Sequence, residues 1–303
     1  GQSLFSISRS YNIPLNELMR INQISNPNAI QPGLRLYMPP QPKPTVDVGA
    51  YLGPDITGNR TIQVLDSTGP YLTYLTVFDY DVNPDGSLTP VQGDTAIVEA
   101  ARRQRIMPLM VLTNVEEGSF SQELATQILG DEGLQQKVLN EALGIIQEKN
   151  YAGLDVDFEY LGAENREPYN AFMRRASALL KPRGYTLSSA LAPKIRGDQP
   201  GILYEGHDYG AHGQINDFIF FMTYEWGWSG GPPMAVSPID QVRQVMEYAV
   251  SVVPRDKIMM GIPLYGYDWT LPYVPGGAWA RVLSPQQAIE LAAQYGVSIQ
   301  YDP

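Results

Sequence analysis

Three carboxylates alternate with apolar residues in the stretch 151–160, which reads Tyr-Ala-Gly-Leu-Asp-Val-Asp-Phe-Glu-Tyr. Side chains alternate between the two faces of a β-strand, so Asp155, Asp157 and Glu159 should share one face, about 6–7 Å apart. Buried carboxylates this close must share protons and hydrogen bonds, and one pKa then rises at the expense of another. Such a group can keep one carboxyl protonated near neutral pH, where it can act as a general acid.

Two non-catalytic interpretations of this run are a solvated edge strand and a calcium-binding loop. A helix–loop–helix calcium loop needs a glycine at its sixth position and an acid at its twelfth. The run 155–159 instead has apolar residues at its alternate positions and no such glycine. We therefore favour a buried catalytic strand.

From Gly153 onward, the run resembles the signature of glycoside hydrolase family 18, the chitinase-like barrels. That signature reads Asp-Gly-x-Asp-x-Asp-x-Glu on the fourth strand of a (β/α)8 barrel, and this sequence departs from it at Ala152. The resemblance implies a TIM barrel whose active site lies at the carboxyl ends of the strands, where Glu159 falls.

The rest of the chain alternates between strand and helix patterns, which favours a parallel α/β sheet. Strands are predicted at 46–52, 72–78, 107–113, 152–158, 185–191, 217–224 and 257–264. Helices are predicted at 93–105, 121–149 with a break near 130–131, 167–180 and 239–252. Seven such units predict a (β/α)8 TIM barrel without a visible eighth strand, not a doubly wound sheet with its glycine-rich nucleotide loop.

Other predicted strand ends carry motifs that resemble the same family. Met222 and Tyr224 match its Met-x-Tyr-Asp element on the sixth strand, with Glu225 in place of aspartate. The stretch 261–267 resembles the Gly-x-Pro-x-Tyr-Gly element of the seventh strand, and Tyr51 falls at the aromatic end of the first. The predicted third strand ends in Leu112-Thr113-Asn114, where the family usually has Ser-x-Gly-Gly. In this respect the sequence resembles the LysM-bearing branch of the family, which degrades spore-cortex or cell-wall peptidoglycan, more than ordinary chitinases.

Aromatic residues cluster at these strand ends, and aromatic rings in a cleft bind the apolar faces of sugars. The alternative is that they are ordinary core residues of the barrel. The aromatic group comprises Tyr51, Tyr224, Trp226, Trp228, Tyr267 and Trp269. We expect the substrate-binding residues to be Tyr51, Asn114, Met222, Glu225, Trp226, Tyr265, Tyr267 and Trp269.

The chemistry implied by the resemblance is retaining and substrate-assisted. Glu159 would protonate the glycosidic oxygen, and the substrate's own 2-acetamido oxygen would attack the anomeric carbon to give an oxazolinium ion. Asp157 would hold the acetamido N–H, Asp155 would share a proton with Asp157, and Tyr224 would hydrogen-bond the acetamido carbonyl. This chemistry requires no cofactor and no metal.

Residues 1–40 form a separate small α+β unit. Apolar residues at 4, 7 and 11 and again at 15, 18, 19 and 21 predict two short helices, and 34–39 alternates like a closing strand. With Leu18-x-x-x-Asn22 and Asn26-Pro27 in order, the unit resembles a LysM module, which implies binding to N-acetylglucosamine polymers; a generic small capping domain is the alternative. Residues 41–45 would be a stiff proline-rich linker.

Composition limits the partners. The 32 acidic and 21 basic residues give a net charge of −11, which argues against nucleic acids and anionic membranes. Cysteine is absent, and only His207 and His212 are present, so disulfides are impossible and a multi-histidine zinc site is not expected. We expect a bacterial extracytoplasmic protein, associated with the cell wall or the spore, that is monomeric and does not insert into a membrane.

The sequence therefore predicts a LysM-bearing β-N-acetylglucosaminidase acting on peptidoglycan, with spore cortex as one candidate substrate. The catalytic domain would span 46–303 and include the start of an inserted α+β subdomain at about 267–303. The alternatives are a chitinase or chitooligosaccharide hydrolase, and an inactive glycan-binding lectin of the same fold. The presence of Glu159 argues against the lectin, because such proteins typically lose that acid.

Overall fold

The computed structural model describes residues 2–39 and 45–301 of the 303-residue chain. The chain divides into two compact units, Gly1–Val46 and Asp47–Pro303. Residues 40–44, which hold most of the predicted linker 41–45, lie outside the described residues. The linker and the domain boundaries drawn from the sequence thus remain predictions.

The N-terminal unit contains two short helices, α1 (Leu4–Ser10) and α2 (Leu15–Ile21), which confirms the helical spacing of its apolar residues. Ser3 caps α1, because its hydroxyl accepts a hydrogen bond from the Ser6 N–H at 3.0 Å. Leu4, Ile13 and Leu18 are buried and form a small core between the helices.

The closing strand predicted at 34–39 is wrong. The segment has no strand hydrogen bonds, because no second extended segment among the described residues of this unit pairs with it. The side chain of Asn22 instead forms hydrogen bonds with the backbone of this segment. Its Oδ1 accepts from the Tyr37 N–H at 2.6 Å, and its Nδ2 donates to the Tyr37 carbonyl at 2.8 Å.

The second unit is built on a sheet whose parallel strands follow chain order, each paired with the next. These strands are β1 (Gly49–Leu52), β2 (Tyr74–Val82), β3 (Met107–Thr113), β4 (Gly153–Asp157), β5 (Thr186–Leu191), β6 (Phe218–Phe221) and β7 (Ile258–Met260). The unit also contains three short antiparallel strand pairs. Leu88–Thr89 pairs with β2, Val115–Glu116 pairs with Ser119–Phe120, and Gly266–Asp268 pairs with Arg281–Leu283. In the described part of the chain, no further parallel strand joins β7 back to β1.

The sheet curls, and side chains from distant strands meet inside it. The rings of Tyr51 in β1 and Phe220 in β6 lie 4.9 Å apart, and those of Tyr74 in β2 and Phe218 in β6 lie 4.7 Å apart. A flat sheet would separate these strands by several strand widths of about 4.8 Å each. The interior of the curl is therefore a shared space into which β1, β4, β5 and β6 all project side chains.

Helices surround the curled sheet between its strands. They are α3 (Pro54–Thr57), α4 (Thr61–Thr68), α5 (Asp94–Arg103), α6 (Gln122–Gly130), α7 (Glu132–Lys149), α8 (Arg166–Leu180), α9 (Ile202–Glu205), α10 (Tyr209–Ile215), α11 (Ile239–Val252) and α12 (Pro285–Tyr295). The bounds of α11 match the predicted 239–252, and the predicted break in 121–149 falls at Asp131 between α6 and α7.

Two predicted strands are much shorter than expected. Strand β6 ends at Phe221 instead of residue 224, because the N–H groups of Thr223 and Tyr224 bond to carbonyls only two residues back. Strand β7 ends at Met260 instead of residue 264, and Ile262 beyond it is 67% exposed. Strand β7 is the last strand of the sheet, so its outer edge has no neighbour among the described residues.

Strand β4 sits at the centre of the sheet and is buried on both faces. Its apolar side chains point outward, and beyond the strand Phe158 stacks on Tyr169 and Phe172 of α8. Strand β5 approaches so closely that a Cβ at Gly153 would lie 2.0 Å from the carbonyl oxygen of Thr186. Glycine is therefore required where β4 begins, and this packing leaves only the inward face for the carboxylates.

Candidate active site

Three acids, which we call the β4 acids, line the inward face of β4 and its carboxyl end: Asp155, Asp157 and Glu159. Their burial decreases toward the end of the strand. Asp155 is 1% exposed and Asp157 is 5% exposed, whereas Glu159 is only partly buried. The outermost acid is thus the one that a ligand at the carboxyl end can reach.

Asp155 is held in place by hydroxyl groups from two other strands. The Tyr51 hydroxyl of β1 donates to its Oδ2 at 2.6 Å, and the Ser188 hydroxyl of β5 donates to its Oδ1 at 2.5 Å. Burial raises the pKa of Asp155, and these two hydrogen bonds oppose the rise because they stabilise the charged form. Tyr51, predicted to bind substrate, is therefore joined to the innermost β4 acid.

Asp157 has no comparable support. Its Oδ1 is fully buried and lacks any hydrogen-bond partner among the described residues. Burial raises the pKa of Asp157 well above its ordinary value, and the charges of Glu159, Asp155 and Asp79 raise it further. A buried carboxyl with an unpaired oxygen is costly unless a ligand completes it.

Glu159 is suited to hold a proton near neutral pH. Burial raises the pKa of Glu159 to about 7, and the negative charge of Glu225 adds to the rise. A general acid works best when its pKa lies near the operating pH.

Asn114, predicted to bind substrate, is 1% exposed and bonded to protein backbone through both ends of its amide. Its Oδ1 accepts from the Glu159 N–H at 2.8 Å, and its Nδ2 donates to the Glu159 carbonyl at 2.9 Å and to the Ser121 carbonyl at 2.9 Å. These contacts use both amide N–H groups of Asn114, so none remains for a sugar hydroxyl.

The segments after β6 and β7 bring another acid and several tyrosines to the same end of the sheet. Glu225 accepts hydrogen bonds on Oε1 from the hydroxyls of Tyr265 at 2.8 Å and Tyr267 at 2.7 Å. Edge contacts connect the rings of Tyr224, Tyr265, Tyr267 and Trp269 in sequence. Tyr224, at one end of this row of rings, interacts with the charges of the β4 acids.

Tyr224 lies close enough to the β4 acids to interact with their charges electrostatically. Burial raises its pKa above the ordinary value, and the charges of Asp157 and Glu159 raise it further, so its hydroxyl stays protonated and can donate. A Cβ at Gly261 would lie 2.8 Å from the Tyr224 ring, so glycine there makes room for the ring. Met222 is buried and packs on Ala190 and Ala192.

The predicted tryptophans lie in the segments that follow β6 and β7. Trp226 and Trp269 are partly buried, and the Trp269 indole N–H donates to the Gly231 carbonyl at 3.0 Å. Trp228 is 43% exposed and meets Trp279, which is 72% exposed, edge to face at 5.6 Å.

Two further observations concern ligands and location. Within residues 2–39 and 45–301, no three His, Cys, Asp or Glu side chains come together as candidate metal ligands. No helix in the described part of the chain is long and apolar enough to cross a membrane.

This geometry agrees with what the chain resembles in sequence. Residues 73–302 match "Glycosyl hydrolases family 18", and residues 1–39 match "LysM domain". The chain belongs to glycosyl hydrolase family 18. The predicted fold class, an incomplete (β/α)8 barrel with an N-terminal LysM module, is thereby confirmed.

Relatives with the same architecture come from Bacillus. A "Cortical fragment-lytic enzyme" of Bacillus subtilis (strain 168) is 46% identical over 270 residues, which is 87% of this chain and 62% of that protein. The crystal structure of the Bacillus cereus spore cortex-lytic enzyme SleL shares 41% identity with a TM-score of 0.90, covering 100% of this chain and 70% of that one. The chain thus spans about three-fifths of the length of the curated cortical fragment-lytic enzymes it matches.

Several further residues with side-chain contacts escaped the sequence analysis. Ser188 could have been found, because it is in register with Asp155 on the next strand. Thr113, whose hydroxyl lies within hydrogen-bonding distance of Asp79 and Asp81, and His207 carry no local motif. Trp279 lies in the predicted insertion and had no strand end to mark it.

Proposed function

We propose that this chain carries the catalytic centre of a β-N-acetylglucosaminidase that hydrolyses β-1,4-linked N-acetylglucosamine in bacterial peptidoglycan. The observation that carries the proposal is the contrast between Glu159, whose pKa burial raises to about 7, and the neighbouring Asp157 with its unpaired buried oxygen. The first suits a proton donor, and the second suits a ligand with an N–H group in the right place.

Bond cleavage begins at Glu159. Its proton passes to the glycosidic oxygen as the bond from that oxygen to the anomeric carbon breaks. Glu159, now charged, later takes a proton from the water that attacks the anomeric carbon. Glu225 cannot easily replace the substrate as nucleophile, because its carboxylate is bonded to two tyrosine hydroxyls.

The substrate supplies the nucleophile through its 2-acetamido oxygen, which bonds to the anomeric carbon and forms an oxazolinium ion. Asp157 accepts the acetamido N–H and balances the developing positive charge. Asp155 shares a proton with Asp157, and Tyr224 donates to the acetamido oxygen and orients it. The acetamido oxygen attacks from the face opposite the leaving group, and water then attacks from the face that the leaving group has vacated, so two inversions retain the anomeric configuration.

Spore cortex is the form of peptidoglycan that we propose as substrate, because a relative that is 46% identical is named cortical fragment-lytic enzyme and a solved structure that matches the whole chain is named spore cortex-lytic enzyme. The matching LysM domain favours a wall-bound glycan, since a tethering module raises the local substrate concentration. We therefore propose that the protein acts outside the cytoplasm, on the cell wall or the spore, on cortex or its fragments.

Digestion of purified cortex and of chitin tests this function. The products are reduced with borohydride, which marks each new reducing end. We expect cortex to yield reduced glucosamine ends, chitin to be cleaved far more slowly, and Glu159→Gln to release neither. Reduced muramic ends would show a muramidase, preferential cleavage of chitin a chitinase, and binding without any product a lectin.

Deletion of residues 1–40 tests the role of the LysM domain. We expect weaker retention on insoluble peptidoglycan and almost unchanged turnover of a small soluble N-acetylglucosamine substrate, because tethering acts only through effective concentration. Equal losses on both substrates would mean that the module builds part of the catalytic site.

A further inference from the structure

The backbone of Glu159 lies beyond the hydrogen bonds of the sheet. Strand β4 pairs with β3 only as far as Asp157 and with β5 only as far as Val156. Directly after Glu159 the chain turns, because Tyr160 has a φ of +55°. A proton donor must be held to within about 0.5 Å of its productive position, so other groups have to fix this backbone.

Asn114 supplies two of these groups. It is the first residue after β3, and its amide bonds both the N–H and the carbonyl of Glu159, at 2.8 and 2.9 Å. The second N–H of the same amide bonds the Ser121 carbonyl, and Ser121 caps α6. Asn114 thus connects the end of β3, the start of α6 and the residue that carries the proton.

His207 holds the same peptide from its other end. Its Nδ1 accepts from the Ala192 N–H at 2.8 Å, and since a backbone N–H can only donate, the proton of the ring lies on Nε2. Nε2 then donates to the Phe158 carbonyl at 2.9 Å. The side chain is fully buried, and burial lowers the pKa of His207 to about 4, which keeps the imidazole neutral.

The Phe158 carbonyl and the Glu159 N–H belong to one peptide group. His207 therefore fixes the carbonyl end of that peptide and Asn114 fixes its N–H end, while Asn114 also fixes the next carbonyl. We propose that Asn114 and His207 are positioning residues that form a backbone clamp and aim the Glu159 carboxyl at the glycosidic oxygen. The inference rests on the proposed role of Glu159 as general acid; neither clamp residue touches the sugar.

A leaving-group comparison separates positioning from general stability. The probes are the phenyl and 2,4-dinitrophenyl glycosides of one N-acetylglucosamine oligosaccharide, measured with the full protein. Phenol needs a proton to depart, whereas dinitrophenol departs without one. We expect Asn114→Ala to lower kcat/KM for the phenyl glycoside by about 10–100-fold, because a misplacement of about 1 Å has this effect. For the dinitrophenyl glycoside we expect kcat/KM, which reports the steps up to bond cleavage and not the later hydrolysis, to fall by less than about 3-fold.

Asn216→Ala is the matched control. Asn216 is also a fully buried asparagine whose Nδ2 donates to a neighbour, here the Ser189 hydroxyl at 2.8 Å, but it lies just before β6 and makes no bond to Glu159. A variant that only reduces the folded fraction lowers the rates on the phenyl and the dinitrophenyl glycoside by the same factor. We expect this equal loss for Asn216→Ala, and for Asn114→Ala a larger loss on the phenyl glycoside than on the dinitrophenyl glycoside.

Conservative variants give a second measurement if Asn114→Ala fails to fold. Asn114→Ser keeps one hydroxyl for the Glu159 backbone, and His207→Gln keeps one acceptor and one donor. Each should show an unequal loss smaller than that of Asn114→Ala or His207→Ala, while the KM values stay within about 3-fold because the sugar contacts remain. Rates that fall equally for both glycosides in all clamp variants would overturn the inference.

Glu159→Gln distinguishes the failure of this inference from the failure of the proposed function. If that variant shows the unequal loss and the clamp variants do not, Glu159 is the acid but the clamp does not aim it. If Glu159→Gln itself loses both activities equally or neither, the general-acid assignment fails, and the clamp proposal fails with it.

Discussion

The barrel unit contains two buried sites with carboxylates, and they differ in the hydrogen-bond donors around those carboxylates. Asp94, the first residue of α5, is surrounded by donors: the Lys149 ammonium bonds both of its oxygens at 2.8 and 2.9 Å, and the hydroxyls of Tyr80 and Tyr151 bond its Oδ2. We call these residues the Asp94 cluster. The β4 acids, by contrast, are surrounded mainly by one another and include an unpaired oxygen on Asp157.

The difference appears in the direction of the pKa shifts. Burial alone would raise the pKa of Asp94, but the hydrogen bonds from Lys149, Tyr80 and Tyr151 outweigh it and lower that pKa. Burial raises the pKa of each β4 acid, and the few available donors do not reverse the shift. A buried carboxylate whose oxygens all have hydrogen-bond donors stabilises a fold. A buried carboxyl group that lacks such donors keeps a proton and an unpaired acceptor oxygen available for chemistry.

The largest expected effect is on rate, at Glu159. Glu159→Gln keeps the shape of the side chain but cannot transfer a proton, so we expect kcat on peptidoglycan to fall by roughly 10²–10⁴-fold. Glycan binding, measured by calorimetry, should stay nearly unchanged. Near-normal turnover by the variant would show that the β4 acids do not differ from the Asp94 cluster in chemical function.

The next effect is on stability, at Asp94. Asp94→Asn leaves the mostly buried Lys149 ammonium without its counter-charge, so we expect the free energy of unfolding to fall by about 3–5 kcal/mol. Since the pKa of Asp94 is lowered in the fold, this stabilisation is present above its ordinary pKa of about 3.9 and is lost as the pH falls through the folded value. Urea unfolding at pH 7 measures the change, and kcat per folded molecule should not move.

Lys181→Ala is the control for that measurement. It removes an exposed ion pair to Asp217, 3.0 Å long, and should change the free energy of unfolding by less than about 1 kcal/mol. If both variants cost the same, the Asp94 cluster does not have the special stabilising role assigned to it.

Glu159→Gln should change stability in the opposite direction. Because the pKa of Glu159 is raised to about 7, the folded protein holds this proton more tightly than the unfolded chain between about pH 4.3 and 7, and stability declines as the pH rises through that window. The variant lacks this penalty and should be more stable than the parent by about 1–3 kcal/mol at pH 8. Unfolding from pH 4 to 8 tests it, with the exposed Glu148→Gln as control; a parallel pH dependence in variant and parent would contradict it.

The smallest effect concerns Glu225. Its charge helps to raise the pKa of Glu159, so Glu225→Gln should move the alkaline limb of the kcat/KM profile to lower pH, by up to about one unit. Glu148→Gln should leave the profile in place. A shift to higher pH, or none, would remove Glu225 from the charge environment of Glu159.

Local pattern predicted the parts of this fold that depend on local physics. The bounds of β3 and α11 follow from apolar periodicity, and the shared face of the β4 acids follows from strand alternation. Contacts between distant residues could not be predicted in this way. Tyr51 and Asp155 meet only because the sheet curls, and Asn114 and Glu159 meet only because β3 and β4 pair in one register.

Errors in the predicted strands have the same origin. The segments 34–39 and 261–264 carry strand-like residues, but a strand also needs a neighbouring strand to bond. Among the described residues no strand pairs with 34–39, and β6 ends at Phe221, which bonds Gly261 but leaves 262–264 without a neighbouring strand. The bonds from Asn114 to the backbone of Glu159 could not be predicted, because an asparagine at a strand end is equally suited to a sugar hydroxyl and to a backbone. Its burial decides between the two, and burial is not visible in one sequence.

The vacant acceptor on Asp157 is the central feature of the β4 acids, and inhibition tests it most directly. A thiazoline analogue of the cyclised intermediate carries the ring nitrogen that Asp157 would bind, whereas free N-acetylglucosamine resembles the product. We expect the thiazoline to inhibit the parent protein at least about 10²-fold better than N-acetylglucosamine, because it is closer to the transition state. In Asp157→Ala this preference should disappear. Equal inhibition by the two compounds in the parent, or an undiminished preference in Asp157→Ala, would contradict substrate-assisted catalysis at this site.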